Sequence, residues 1–221
     1  MHAAVKSDLV TRSYTTSNHP KKVIIGLHGW TGDEHVFEPV AKMMKIKNAK
    51  WYYPRAPYRS DRGKGYTWFR GSDEKGWDWK TTWIGLHKLM ADIQKEGFSR
   101  ENIFLIGFSQ GASLAMEFAL RLPYAIGGII PIAGFIKTMD ALKTEATTQS
   151  ADTPVLLLHG DQDSVIPYEY SEKAEAFLEG RGHQVHLEIY NAPHKISLKT
   201  KPLVQEFISN PFKFFPVISP E

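Results

Sequence analysis

The chain has no cysteine. That excludes disulfides, thiolate-bound metals and a thiol nucleophile, and it fits a reducing compartment. Long apolar runs are also missing. No stretch reaches the roughly 18 residues that a membrane helix needs, and Met1 to Val10 holds no apolar signal core. These lacks predict a cytoplasmic protein with no integral membrane segment. Charge of one sign is scarce as well. Lys and Arg number 27 against 24 Asp and Glu, a formal net charge of +3, and the basic residues form no long run. No nucleic-acid partner is expected from that balance.

What is present is an ordinary globular composition, 42% hydrophobic and 23% charged over 221 residues. That length suits one domain, 1–221, able to bury a substantial core. Short apolar runs alternate with helix-like segments, the pattern of a mostly parallel sheet flanked by helices. The runs are Val23 to Leu27, Trp51 to Tyr53, Ile103 to Ile106, Gly128 to Ile132, Val155 to Leu158 and Val185 to Tyr190. The first, third and fifth are almost wholly aliphatic, as strands buried on both faces are. Leu9 to Tyr14 adds an antiparallel edge strand.

Helices are expected at about Glu38 to Lys45, with Pro39 at the first position, and around Trp83, Leu86, His87, Met90 and Ile93, which repeat at helical spacing before Gly97. Further helices are expected at Ala112 to Leu122, Tyr168 to Leu178 and Ser197 to Ile208. The stretch Arg55 to Lys80 has no clear period yet holds Trp68, Phe69, Trp77 and Trp79. A long loop in a compact domain is usually functional, and its aromatics argue against disorder. It reads as an aromatic flap at about 55–80.

Gly107-Phe108-Ser109-Gln110-Gly111 fits G-x-S-x-G. In that motif a serine sits on a strained strand-to-helix turn, and the flanking glycines let strand and helix approach. The bare pattern arises by chance in about one chain in ten of this length. Here it lies between a buried strand and a small-residue helix, the setting the motif needs. Ser109 is therefore the candidate nucleophile.

A serine hydroxyl needs a base, and the base needs an orienting acid; with a serine on this kind of strand–turn–helix elbow the chain order is Ser, Asp or Glu, His. His183, His186 and His194 are the downstream candidates. His186 alternates within a strand and His183 lies in the preceding turn. His194 follows the strand's C-terminal end, where ligands bind in open α/β sheets, and is the choice for base. Asp161 and Asp163 both follow Val155 to Leu158, and spacing alone leaves either as the acid. The oxyanion of an acyl-transfer intermediate needs fixed donors. The backbone N–H groups of Gln110 and Trp30 are assigned here, the second because it follows His28-Gly29 at the end of the first aliphatic strand. His28 precedes the serine and reads as structural.

These residues together resemble the phospholipase/carboxylesterase family of small α/β-hydrolases, which includes the acyl-protein thioesterases. The likeness is carried by Leu27-His28-Gly29 with Gly32-Asp33-Glu34, by Pro54-Arg55-Ala56-Pro57 with Trp68-Phe69, by Arg100 to Ile103 leading into the Ser109 motif, and by His159-Gly160-Asp161-Gln162-Asp163-Ser164-Val165-Ile166-Pro167 with His194. It implies an α/β-hydrolase fold and makes Asp163 the acid, with Asp161 structural. Three departures stand out: Ala112 and Pro193 where the family tends to have glycine, and Gly71 to Trp79, which aligns with nothing in it.

The expected activity is hydrolysis of short- to medium-chain carboxylic esters through an acyl-enzyme on Ser109, with no metal or cofactor. A thioesterase or lysophospholipase would use the same Ser109, Asp163 and His194, and a non-catalytic binding protein is the remote alternative. The expected partner is a small ester or thioester. Trp68, Phe69, Trp77 and Trp79 are expected to wall the acyl pocket, while Arg59, Arg62, Lys64 and Arg70 read as a solvated face. The apolar tail Phe212 to Val217 packs on the domain or joins two copies, so the protein is a monomer or homodimer.

Overall fold

The computed structural model describes residues 9–72 and 74–215. Its strands are β1 (Thr11–Thr15), β2 (Lys22–Leu27), β3 (Ala49–Pro54), β4 (Tyr58–Arg59), β5 (Tyr66–Thr67), β6 (Arg70–Ser72), β7 (Gly76–Asp78), β8 (Ile103–Phe108), β9 (Gly128–Ile132), β10 (Val155–Gly160) and β11 (Val185–Tyr190). Its helices are α1 (Phe37–Met44), α2 (Lys80–Lys95), α3 (Gln110–Leu120), α4 (Met139–Glu145), α5 (Glu169–Glu179) and α6 (Lys201–Ser209). Seven strands form one sheet in the order β1-β3-β2-β8-β9-β10-β11. Only β1 runs antiparallel, paired with β3 at the edge. The fold is the mostly parallel, helix-flanked sheet of an α/β-hydrolase.

Alternation along the strands builds two cores. Val23, Ile25 and Leu27 of β2, Ile103 and Leu105 of β8, and Val155 and Leu157 of β10 point to one face. Ile24, Phe104, Ile106, Leu156 and Leu158 point to the other. The first face is covered by α2, α3, α4 and α5 through residues such as Leu86, Leu114, Leu142 and Leu178. The second is covered by α1 and α6 through Phe37, Val40, Val204 and Phe207. A strand clad on both sides has no polar face, which is why these runs are apolar throughout.

Several boundaries differ from expectation for local reasons. Pro39 is the third residue of α1, not the first; it still lies in the first turn, where its missing N–H would lack a partner anyway. The segment Ser197 to Ile208 splits into a 3-10 turn at Leu198–Thr200 and then α6, with Pro202 in the first turn of that helix. The flap is not irregular. It holds two antiparallel hairpins, β4 with β5 and β6 with β7. Of the tail, Phe212 is exposed and Phe215 packs against the second core; residues 216 and 217 lie outside the described residues.

Candidate active site

Strand β8 ends at Phe108 and α3 begins at Gln110, so Ser109 alone makes the turn. Its backbone adopts φ 55°, ψ −118°. Such strain in a non-glycine residue costs on the order of 1–3 kcal/mol and persists only where neighbours enforce it. They do here. The Ser109 N–H donates to Ile132 O at 2.9 Å, and Ser109 O accepts from Ala112 and Ser113 N–H at 2.9 and 3.1 Å. Both motif glycines are sterically required. A Cβ on Gly107 would lie 2.2 Å from Gly111 O, and one on Gly111 would lie 2.0 Å from Leu27 O. Ala112, one of the departures from the family pattern, is accommodated by Gly134, where an added Cβ would lie 2.4 Å from the alanine methyl.

The acid loop follows β10. Asp163 Oδ1 accepts from the N–H groups of Val165 and Ile166, both at 2.9 Å. Its Oδ2 lies 2.6 Å from His194 Nδ1. Burial of the side chain acts to raise the Asp163 pKa, but the bonds from Ile166, His194 and Val165 outweigh it and hold the carboxyl below its ordinary value. Buried His159 stands behind the acid, with Nε2 2.8 Å from Ile166 O and 3.3 Å from Asp163 Oδ2. Its Nδ1 meets Ser171 Oγ on α5 at 2.6 Å.

Asp161 does a different job. It is exposed and accepts from Ala192 N–H at 3.3 Å, while its own N–H donates to Tyr190 O at 3.0 Å. Gly160 is pressed so closely against this second loop that a Cβ would lie 2.1 Å from Ala192 O. Asp161 thus fixes the loop that carries His194, and Asp163 touches the imidazole.

The His194 ring packs on Phe108, the residue before Ser109, with centroids 4.7 Å apart. Bonding of Nδ1 to Asp163 leaves Nε2 as the free nitrogen. The other two histidines are remote from this arrangement. His183 is buried with Nδ1 3.2 Å from Thr153 O, and His186 sits on edge strand β11 beside Glu188.

On the other side of Ser109, Gly29 presses against the turn. A Cβ there would lie 3.4 Å from both Phe108 O and Ser109 Cβ. This brings Trp30 beside the serine, with its side chain partly exposed. The backbone N–H groups of Trp30 and Gln110 have no acceptor among the described residues. His28, the residue before Gly29, has both ring nitrogens engaged. Its Nδ1 lies 2.7 Å from Gly29 O, and Nε2 accepts from Ala56 N–H at 3.0 Å. Burial lowers its pKa to about 4, so the ring is neutral near pH 7.

Comparison with known proteins decides the family. The model of the Phospholipase/Carboxylesterase family matches residues 13–211. The chain belongs to that family. It is 30% identical over 215 residues to acyl-protein thioesterase 1 of Kluyveromyces lactis, covering 87% of this chain and 93% of that one. It is 25% identical to carboxylesterase SOBER1 of Arabidopsis thaliana, over 86% and 90% of the two chains. The crystal structure of esterase PE8 superposes with a TM-score of 0.77 at 26% identity, over 94% and 99%. The chain is accordingly a serine hydrolase of the carboxylic ester hydrolase class. Among its described residues no helix is long and apolar enough to cross a membrane, and no group of three or more His, Asp and Glu is placed to hold a metal ion.

In this phospholipase/carboxylesterase family member, Ser109 opens onto a cavity of about 450 Å³. Phe69 and Trp77 of the flap line it, with Trp30 and Gln110. Trp68 and Trp79 differ from expectation. Trp68 is fully buried, with its indole N–H on His28 O at 2.8 Å and its ring against the His28 ring. Trp79 packs on Phe69, with centroids 4.1 Å apart, and stacks on Trp83 of α2 at 5.5 Å. Trp79 thus backs the lining residue Phe69. The flap is pinned to the Ser109 turn by the Gln110 side chain. Its Oε1 accepts from Trp68 N–H at 3.1 Å, and its Nε2 donates to Thr67 Oγ1 at 2.8 Å.

The far wall was not anticipated. Phe135 and Lys137, from the loop after β9, line the same cavity. Phe135 N–H donates to Ser113 Oγ at 3.2 Å. Buried Glu117 of α3 accepts from Thr138 N–H and Thr138 Oγ1, both at 2.6 Å, and from Arg121 at 2.6 Å. No motif marks this loop. The available signal was its place at the C-terminal end of a strand next to β8, since such loops emerge beside the Ser109 turn. A second cavity of about 360 Å³, among Lys21, Lys22, Lys45 and Lys47, lies at the opposite end of the sheet and holds none of these groups.

Proposed function

We propose that this chain hydrolyses short- to medium-chain carboxylic esters through an acyl-enzyme on Ser109. The observation that carries the reading is the 2.6 Å contact between buried Asp163 and His194 Nδ1, with the His194 ring packed on the Ser109 turn. Ser109 Oγ attacks the acyl carbonyl carbon as His194 Nε2 takes the hydroxyl proton. Asp163 orients the ring and stabilises the imidazolium. The N–H groups of Trp30 and Gln110 receive the developing oxyanion. Collapse expels the alcohol, which leaves with the proton from His194. Water then attacks the acyl-enzyme, again giving a proton to His194, and the acid is released as Ser109 regains its hydrogen.

Phe69, Trp77 and Phe135 are the apolar surfaces for the acyl chain. Each buried methylene is worth about 0.8 kcal/mol, so transition-state binding improves with chain length until the cavity is full. Thioester hydrolysis is the second reading. It is favoured by the 30% identity to a named acyl-protein thioesterase, and a thiolate leaves by the same route.

A fluorophosphonate probe and a substrate panel test this. Labelling and ester hydrolysis by wild type, both lost in a folded Ser109→Ala variant, are the expected results. A folded Ser109→Ala variant that still turns over an activated ester refutes the mechanism. Esters, thioesters and lysolipids of graded chain length then separate the two readings.

A further inference from the structure

We propose that His159, seated by Ser171, is a positioning residue for hydrolysis: its Nε2–H holds Ile166, and through Ile166 the Asp163 carboxylate, in register with His194. The proposal rests on the esterase reading, with Ser109, His194 and Asp163 in the roles given above, and adds two residues behind the acid.

The residue types carry the first part of the argument. Along β10, Val155 and Leu157 point to the core beneath α2, α3, α4 and α5, and position 159 continues that alternation. An aliphatic side chain is expected there. A wholly buried imidazole stands instead, and burying a polar ring is costly unless its nitrogens are bonded. On α5 the buried stripe is Ser171, Ala174 and Leu178, with the serine as its polar member. The two exceptions meet: Ser171 Oγ lies 2.6 Å from His159 Nδ1.

The surrounding acceptors assign the hydrogens. Nε2 faces two oxygens that offer only lone pairs, Ile166 O at 2.8 Å and Asp163 Oδ2 at 3.3 Å. A bare nitrogen would be repelled by both. In the neutral ring Nε2 therefore carries the proton, Nδ1 is bare, and Ser171 Oγ–H donates to it. Ile166 is pinned on both sides. Its C=O takes the His159 hydrogen, and its N–H donates to Asp163 Oδ1 at 2.9 Å. The bonded series Ser171, His159, Ile166, Asp163, His194 thus runs from α5 to the base. A carboxylate that drifts by about an ångström loses its 2.6 Å contact with His194 Nδ1, and a misplacement of that size costs on the order of a hundredfold in rate.

Two substitutions separate a positioning role from mere filling of space. His159→Gln places an amide N–H where Nε2–H stood. His159→Leu supplies the apolar side chain that the strand's alternation calls for. With an ester that wild type hydrolyses, His159→Leu lowers kcat by about ten- to a hundredfold. KM stays within about twofold, because His194 serves both acylation and deacylation. His159→Gln recovers most of the loss, whereas a filling role predicts the opposite order. Ser171→Ala, which leaves Nδ1 without a donor, lowers kcat by a smaller factor and adds nothing in the His159→Leu background. In wild type, long-range 1H–15N spectra of the histidines at mildly alkaline pH show His159 with its proton on Nε2, a measurement that needs no variant to fold. A folded His159→Leu protein with wild-type kcat, a His159→Gln protein no better than His159→Leu, or a wild-type spectrum with the proton on Nδ1 overturns this proposal and leaves the esterase reading standing. Absence of both ester hydrolysis and phosphonate labelling of Ser109 in wild type overturns both.

Discussion

Acidification probes the seat of His28. The ring is buried, and both nitrogens are committed: Nδ1–H donates to Gly29 O, and Nε2 accepts from Ala56 N–H. A second proton would land on Nε2, facing the Ala56 N–H. Burial accordingly lowers the pKa from 6.5 to about 4, although bonding to Gly29 and the charges of Asp33 and Glu34 act the other way. The sign follows from proton counts. Between pH 6.5 and 4 the unfolded chain binds a proton at His28 and the native chain does not, so stability falls as pH falls through that window. At 1.36 kcal/mol per unit, the loss relative to pH 7 is about 2 kcal/mol at pH 5 and approaches about 3 kcal/mol below pH 4. His183, whose pKa burial also lowers, adds in the same direction. Asp163, held below its ordinary value, contributes stability above the ordinary carboxyl range and loses it as pH falls further. The comparison that isolates His28 is His28→Gln, whose amide can donate to Gly29 O and accept from Ala56 N–H without titrating. Urea unfolding from pH 7 to pH 5 should show wild type losing about 2 kcal/mol more than His28→Gln. Equal losses in the two proteins would refute the reasoning.

Three further outcomes are expected. Asp163→Asn should lower kcat by roughly 10³-fold or more, because the imidazole loses its orienting charge; Asp161→Asn should cost far less, and the reverse order would exchange the two roles. Gly111→Ala, whose methyl would meet Leu27 O at 2.0 Å, should destabilise by about 2–3 kcal/mol and disable the Ser109 turn, as thermal melts and phosphonate labelling would report. Glu117→Ala removes the acceptor of three hydrogen bonds to Thr138 and Arg121 and should cost on the order of 3 kcal/mol; a loss under 1 kcal/mol in urea titration would show that the far wall does not depend on it.

The sheet was legible because strands covered on both sides leave an unmistakable record. Val23 to Leu27, Ile103 to Ile106 and Val155 to Leu158 are apolar at odd and even positions alike, since each parity feeds a different core. Ser109 was legible because its geometry demands glycine at 107 and 111, and few other arrangements demand that spacing. The hairpins of the flap were hidden by their length. Strands of two or three residues, such as Tyr58–Arg59 and Arg70–Ser72, are too short to show alternation. Which flap aromatics reach the cavity was hidden too. Trp68 and Phe69 are neighbours in sequence, yet Trp68 lies under His28 and Phe69 lines the cavity with Ser109. Lys137 and Phe135 needed the strand order, because only the adjacency of β9 to β8 brings their loop to the site.

The Gln110 clamp couples two parts of the site that are usually treated apart. In the proposed mechanism one residue supplies an oxyanion donor from its backbone, and its side chain restrains Thr67 and Trp68. A substrate that forces the flap outward pulls on the residue whose N–H must stay fixed for the transition state. Poorly fitting esters are therefore penalised in turnover as well as in binding. Discrimination of this kind survives saturation: raising the concentration of a bulky competitor fills the cavity without restoring its rate.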